Sequence, residues 1–308
     1  MYSIQIIGYG SYLPNKKVEN DSLNKKFNLD SDWIFQRSGI RYRYYAEESI
    51  SELAIKATEK LIENSKIDIS EVEAIFVATT TSQRLMPGIS FDVQNAFSIK
   101  SCICLDILAG CSGYINAIDI ARNYIAIGKI KNALVIGVEV LSKFMDMQDI
   151  NTNILLGDGA GALLIGRSEK GKVYYSKIES DAIQKEILST EYGKNLFMDG
   201  KKIYRFAINE TVRNIEDLLQ ENQEKLENIK FLVPHQSNQR ILDKITTKLS
   251  IEPSKMYSNL ENVGNTFCAS IPIAVSQMMQ EKLLEEGDKI ILIGYGGGLN
   301  WGSILLEI

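Results

Sequence analysis

The strongest constraint on the fold is a spacing that occurs twice. Cys111-Ser112-Gly113 opens an apolar stretch that passes Gly128-Lys129 and ends in the hydrophobic run Val135-Ile136-Gly137. Cys268-Ala269-Ser270 opens a second stretch, which passes Gly287-Asp288 and ends in Leu292-Ile293-Gly294. In both units the cysteine and the final glycine stand 26 positions apart. Each unit then continues through a glycine-rich turn into another apolar run. These are Gly157-Asp158-Gly159-Ala160-Gly161 before residues 162–165, and Gly296-Gly297-Gly298 before residues 303–306. Such self-similarity marks a duplicated supersecondary unit. The polar joint Arg167-Ser168-Glu169-Lys170-Gly171-Lys172 predicts a boundary between an N-terminal half, 1–168, and a C-terminal half, 169–308. A duplication of this kind places two central helices about a pseudo-twofold axis, with both N-termini aimed at one cleft.

The remaining pattern is an alternation of buried strands and helices. Short β-branched runs at 4–7, 74–77, 103–107, 134–138 and 289–293 read as strands, and 50–65, 111–128, 208–226 and 267–285 read as helices. The alternation predicts an α/β protein with mainly parallel, covered sheets.

Composition narrows the function. A net charge of −5 with no dense basic run argues against nucleic-acid binding. The opening residues carry no basic segment followed by an apolar one, and no apolar run approaches a membrane span, so a cytoplasmic protein is expected. Four cysteines at irregular spacing and a single histidine cannot build a disulfide framework or a zinc site, so no metal and no cofactor are predicted.

That histidine, His235, lies in Pro-His-Gln-Ser-Asn just after the apolar run Phe231-Leu232-Val233. A strand end is where α/β proteins place chemistry, although a lone histidine is also commonly a capping or core residue. Cys111 follows a small-residue turn and begins a helix, where the dipole favours a thiolate; it reads equally as a small buried hydrophobe. Cys102 and Cys104, inside an apolar run, read as buried hydrophobes. Asn265 lies in Val-Gly-Asn-Thr just before the helix of Cys268, a sequence that also suits an ordinary turn. Gly296-Gly297-Gly298 would expose backbone N–H groups able to hold an oxyanion.

Taken together, Leu-Ala-Gly-Cys-Ser-Gly at 108–113, Pro-His-Gln-Ser-Asn at 234–238, Val-Gly-Asn-Thr at 263–266 and Gly-Gly-Gly-Leu-Asn-Trp-Gly at 296–302 closely resemble the β-ketoacyl-acyl carrier protein synthase III family of the thiolase superfamily. Gly8-Tyr9-Gly10-Ser11-Tyr12-Leu13-Pro14, Asp32-Trp33-Ile34, Arg37-Ser38-Gly39-Ile40, Ala78-Thr79-Thr80-Thr81 and Gly157-Asp158-Gly159-Ala160-Gly161 extend the resemblance from end to end. It implies a duplicated five-layer αβαβα fold and a Cys111-His235-Asn265 triad, with an oxyanion hole from the N–H groups of Cys111 and Gly297. By the same resemblance, Cys111 takes an acyl group from a coenzyme A thioester. His235 and Asn265 then stabilise the enolate left when malonyl-acyl carrier protein loses carbon dioxide.

The resemblance also separates neighbours. Elongating ketoacyl synthases need two histidines, thiolases a second cysteine near the C-terminus, and plant-type polyketide synthases are longer chains. It assigns Trp33 and Arg37 to coenzyme A, and Met86 to the acyl pocket of a homodimeric neighbour. Arg205, Arg240, Lys244 and Lys248 fall where the family holds the acidic carrier protein. Two departures stand out. Ile150 occupies the place of an arginine that completes the adenine sandwich, and Phe267-Cys268 replace small residues. Alternatives are a condensing enzyme or acyltransferase of specialised metabolism, or a non-catalytic partner subunit.

Overall fold

The computed structural model describes residues 2–191 and 194–308. Nine long strands form two main sheets. The first contains β1 (Ser3–Tyr12), β2 (Ala74–Ala78), β3 (Ile103–Ile107), β4 (Asn132–Glu139) and β5 (Gly159–Ser168), in the order β1-β5-β4-β2-β3. The second contains β6 (Tyr174–Ser180), β7 (Phe231–Pro234), β8 (Lys289–Gly296) and β9 (Asn300–Glu307), in the order β7-β8-β9-β6. The runs expected at 74–77, 134–138 and 289–293 fall in β2, β4 and β8, whose residues are almost wholly buried. A strand covered on both faces has no need of polar alternation.

The duplication is visible in the pairing. In the first sheet β1 runs antiparallel to β5, β5 antiparallel to β4, and β4 parallel to β2. In the second, β6 runs antiparallel to β9, β9 antiparallel to β8, and β8 parallel to β7. The edge strand β3, parallel to β2, completes the first sheet. The sheets are therefore mixed rather than mainly parallel. The reason lies in the connections: β8 turns directly into β9, and the β4–β5 link holds only one-turn helices, whereas a parallel neighbour needs a crossover of a dozen residues or more.

Helices complete five layers. We label them α1 (Ser31–Ser38), α2 (Ile50–Ser65), α3 (Ile89–Ala96), α4 (Gly113–Ala126), α5 (Gly200–Glu221), α6 (Gln239–Lys248) and α7 (Ser270–Gln280). Leu53, Leu61 and Val93 of α2 and α3 pack on the outer face of the first sheet. Ile208, Ile215, Ile241 and Ile245 of α5 and α6 cover the outer face of the second. Between the sheets, Ile115 and Ile118 of α4 meet Ile271 and Val275 of α7 in one shared core. The start of α2 is set by a capping box between Ser49 and Glu52. By contrast, α5 begins at Gly200, earlier than the 208 expected, because Asp199 accepts the Lys202 N–H and caps a polar first turn.

The repeated glycines explain the repeated spacing. A β-carbon at Gly137 of β4 would stand 2.5 Å from the Cys268 carbonyl oxygen, in the opposite half. A β-carbon at Gly294 of β8 would stand 3.0 Å from Ser112 Cα and 2.7 Å from Ile115 Cγ1. Each half keeps a glycine so that the other half's central helix can dock against its strand.

Candidate active site

The three predicted catalytic side chains come from three separate chain segments. Cys111 occupies the single 3-10 turn Gly110–Ser112 that follows β3 and leads into α4. His235 follows β7, and its N–H donates to the Ile293 carbonyl of β8 at 2.7 Å, which holds the loop to the sheet. Asn265 is clamped by its backbone: its N–H donates to the Leu155 carbonyl, and its own carbonyl accepts the Gly157 N–H, each at 2.9 Å. All three are buried, and all three line one cavity of about 570 Å³.

The two backbone N–H groups of the expected oxyanion hole point at the same place. Those of Gly297 and of Cys111 itself both act on the Cys111 sulfur in the direction that lowers the thiol's pKa. Gly296 makes this possible, since a β-carbon there would stand 3.0 Å from that sulfur and 2.9 Å from the Cys111 nitrogen. The N–H groups favour a thiolate, but burial outweighs them and Glu139 adds to it, pushing the thiol well above its usual range. Burial thus favours the thiol at the resting sulfur, against the thiolate that a helix N-terminus alone would favour.

Asn265 and His235 are oriented from the same residue, Phe267. The Phe267 N–H donates to Asn265 Oδ1 at 3.0 Å, so the amide turns its NH₂ away as a free donor. Ser270 Oγ lies 2.8 Å from His235 Nδ1 and also 2.8 Å from the Phe267 carbonyl. The imidazole meets the Tyr295 ring edge-on with centroids 5.1 Å apart, and the Tyr295 hydroxyl donates to the His235 carbonyl at 3.1 Å. Burial lowers the His235 pKa from 6.5 to about 3, opposed by a hydrogen bond to the Phe267 backbone. Its imidazole is therefore neutral at physiological pH.

Other predicted residues are placed as follows. Arg37 lines the cavity, and its guanidinium lies 5.3 Å from the ring centroid of the exposed Trp33. Ile150 turns toward a small apolar cluster with Leu23, Ile34 and Ile154, while its neighbour Asn151 lines the cavity. Arg240 lines the cavity too; Arg205, Lys244 and Lys248 are exposed nearby on α5 and α6. Met86 does not line its own chain's cavity but is 82% exposed at a loop tip.

Two readings are corrected. Cys102 and Cys104 are only partly buried, with sulfurs 3.6 Å apart at the start of the edge strand, where one side lacks a neighbouring strand. Cys268 does not share the cleft of Cys111. It is fully buried, and its one S–H is shared between the Ala78 carbonyl and Glu139 Oε1, each 3.0 Å from the sulfur. Ser270 and Tyr295 were missed by sequence reasoning; serine inside a helix start and tyrosine before glycines carry no signal of their own.

Comparison with known proteins agrees with this geometry. The family model of 3-oxoacyl-[acyl-carrier-protein] synthase III matches residues 105–182, and the model of its C-terminal part matches 219–308. The β-ketoacyl-[acyl-carrier-protein] synthase III of Clostridium acetobutylicum is 37% identical over 322 aligned residues, covering 100% of this chain and 99% of the relative. The chain belongs to the β-ketoacyl-acyl carrier protein synthase III family. As a member it is an acyltransferase, a ketoacyl synthase of the fatty-acid biosynthetic class, on a thiolase-like fold. The crystal structure of 3-oxoacyl-[acyl-carrier-protein] synthase III from Aquifex aeolicus superposes with a TM-score of 0.96 at 35% identity, covering 100% of both chains. The priming β-ketosynthase of the R1128 polyketide pathway superposes at 0.94 with 26% identity, covering 99% of this chain and 96% of that one.

Proposed function

We propose that this synthase III family member catalyses decarboxylative Claisen condensation of an acyl-coenzyme A primer with malonyl-acyl carrier protein. The reading rests on one observation: thiol, imidazole and carboxamide line a single cavity, with two backbone N–H groups converging on the sulfur. Because Cys111 rests as a thiol, attack on the primer needs a proton acceptor. Neutral His235 in the same cavity supplies it. Sulfur attacks the thioester carbonyl, and the Cys111 and Gly297 N–H groups receive the developing oxyanion. The coenzyme A thiolate leaves and takes the proton from His235.

The second half-reaction runs on donors. Malonyl-acyl carrier protein loses carbon dioxide, and the electron pair passes into an enolate whose oxygen accepts hydrogen bonds from His235 and Asn265. Neutral donors held in orientation in a buried site stabilise that charge more than water does. The enolate carbon attacks the acyl-cysteine, releasing the β-ketoacyl product and the Cys111 thiolate, which is reprotonated. Cysteine, histidine and asparagine supply every group in this sequence, so it calls on no cofactor or metal.

Supporting assignments follow. Arg37 and Trp33 hold coenzyme A, with the apolar Ile150 in place of a second cationic partner. Arg205, Arg240, Lys244 and Lys248 form a basic rim for the acidic carrier protein, although the whole chain is net negative. The chain acts as a homodimer joined at β3, where Leu105 and, just past the strand, Leu108 are exposed beside the strand edge of the sheet, and Met86 reaches the partner's acyl pocket. Halves 1–168 and 169–308 are the duplicated units, and the enzyme works in the cytoplasm. The adaptable Met86 favours primers longer or more branched than acetyl. Turnover of acetyl-coenzyme A above that of every branched or medium-chain primer tested overturns that preference.

The decisive experiment incubates the enzyme with a panel of acyl-coenzyme A thioesters, identifies the adduct by mass spectrometry, then adds malonyl-carrier protein. An acyl group on Cys111 and stoichiometric carbon dioxide are expected. An adduct without carbon dioxide release points to an acyltransferase of specialised metabolism, the reading favoured by Phe267 and by the likeness to the R1128 enzyme. No adduct with any primer points to a non-catalytic subunit.

A further inference from the structure

His235 is the single histidine of the chain, and the proposed reaction asks opposite things of it. It must accept the Cys111 proton in the first half-reaction and donate a hydrogen bond to the malonyl carbonyl in the second. A neutral imidazole does each only in the matching tautomer. What stands at Nδ1 decides which tautomer is held.

At Nδ1 stands a hydroxyl. Ser270 Oγ lies 2.8 Å from Nδ1 and 2.8 Å from the Phe267 carbonyl, and it accepts the Gln236 N–H at 3.3 Å. The Phe267 carbonyl also receives the Ser270 backbone N–H, so it remains satisfied whichever way the hydroxyl turns. Two arrangements therefore fit the same heavy atoms. In one, Ser270 donates to the Phe267 carbonyl and accepts Nδ1–H, which leaves Nε2 bare as an acceptor. In the other, Ser270 donates to Nδ1, and Nε2 carries the proton as a donor.

The contrast with Asn265 is instructive. There a backbone N–H, which can only donate, fixes the carboxamide as a permanent donor. A carbonyl or an N–H alone at Nδ1 would likewise lock the imidazole in one role, whereas here the Phe267 carbonyl beside the ring shares it with the Ser270 hydroxyl. We propose that Ser270 is a positioning residue whose hydroxyl lets His235 alternate between proton acceptor and hydrogen-bond donor during one catalytic cycle. The two arrangements contain the same atoms; one ring proton leaves Nδ1 and one is taken at Nε2, with water as carrier between half-reactions. The proposal rests on the condensation chemistry above.

The test is Ser270→Ala, with Ser270→Thr as the variant that keeps the hydroxyl. Without the hydroxyl, the acceptor left beside Nδ1 is the Phe267 carbonyl, which holds Nδ1–H. Carbon dioxide release from malonyl-carrier protein is expected to fall on the order of a hundredfold in Ser270→Ala, the scale of losing one such donor. Acylation of Cys111 is expected to change less than about threefold, and Ser270→Thr to recover decarboxylation to within about tenfold. Because there is one histidine, ¹⁵N-histidine labelling reads its tautomer without assignment. In acyl-enzyme carrying a decarboxylation-resistant malonyl amide of pantetheine, wild type is expected as Nε2–H and Ser270→Ala as Nδ1–H. Equal loss of both half-reactions, no loss of either, or Nε2–H in Ser270→Ala overturns the proposal. Failure of wild type to form any Cys111 adduct instead overturns the condensation reading.

Discussion

Cys111 and Cys268 occupy equivalent places in the two halves, each in a 3-10 turn that opens a central helix. Their surroundings are opposite. The sulfur of Cys111 meets two N–H donors, from Gly297 and from its own backbone. The sulfur of Cys268 meets two acceptors, the Ala78 carbonyl and Glu139 Oε1. Donors stabilise a thiolate, whereas acceptors hold a thiol by taking its proton. Its own burial, and the Glu139 carboxyl beside it, both keep Cys268 protonated. The same local device thus yields the proposed nucleophile in one half and a buried, acceptor-bound thiol in the other. Helix position alone does not make a reactive cysteine; the polarity of the partners does.

The largest effect that could break this comparison is at the sulfurs themselves. Cys111→Ala is expected to lower condensation by at least about 10³-fold, whereas Cys268→Ala leaves it within about tenfold. A comparable loss in both, measured as carbon dioxide release, would end the distinction. Limited alkylation of the native enzyme followed by peptide mass spectrometry should modify Cys111 well before Cys268.

Next come the donors that serve the Cys111 side alone. Asn265→Ala is expected to slow malonyl decarboxylation by about 10²–10³-fold, because one oriented donor is removed. The acyl adduct on Cys111 should still form, and its disappearance would show that Asn265 supports structure rather than the enolate.

The cross-docking glycines sharpen the comparison at the level of packing. Gly137→Ala pushes a methyl against the Cys268 carbonyl, and Gly294→Ala pushes one against Ser112 and Ile115. Each is expected to destabilise the fold by about 1–3 kcal/mol, the usual cost of overpacking. Gly137→Ala should be the worse, since it meets rigid backbone, and thermal denaturation checks the order.

A smaller effect concerns acid. The folded pKa of His235, about 3, lies below its unfolded value of 6.5, so the unfolded chain binds the extra proton. Stability from this group is complete above about 6.5 and is lost as pH falls toward about 3. Denaturant titrations across that window should show a weaker pH dependence in His235→Asn than in wild type. The smallest effect belongs to the rim. Arg240→Glu or Lys244→Glu should raise the KM for malonyl-carrier protein by about threefold to tenfold, less at high salt.

Much of this was legible before any coordinates. The strands at 74–77 and 289–293 and the helix at 50–65 are long apolar or strongly capped segments, whose periodicity and capping box state their type. The family, and the convergence of Cys111, His235 and Asn265 on one cavity, were legible from the set, because four motifs in one order are far more specific than any one of them. Strand direction was not, since an apolar run is equally apolar whichever way its neighbour points. The start of α5 was not, since Asp199 and two lysines read as loop until the cap is seen.

The amino-acid sequence by itself determined the duplication, the core and the three groups proposed to do the chemistry, because burial pattern and residue type are properties of the chain. Tertiary structure alone decided which cysteine meets donors, where Ser270 stands beside His235, and that Ile150 turns inward. Those outcomes depend on which distant segments converge, and hydrogen-bond polarity has no meaning until both partners are in place.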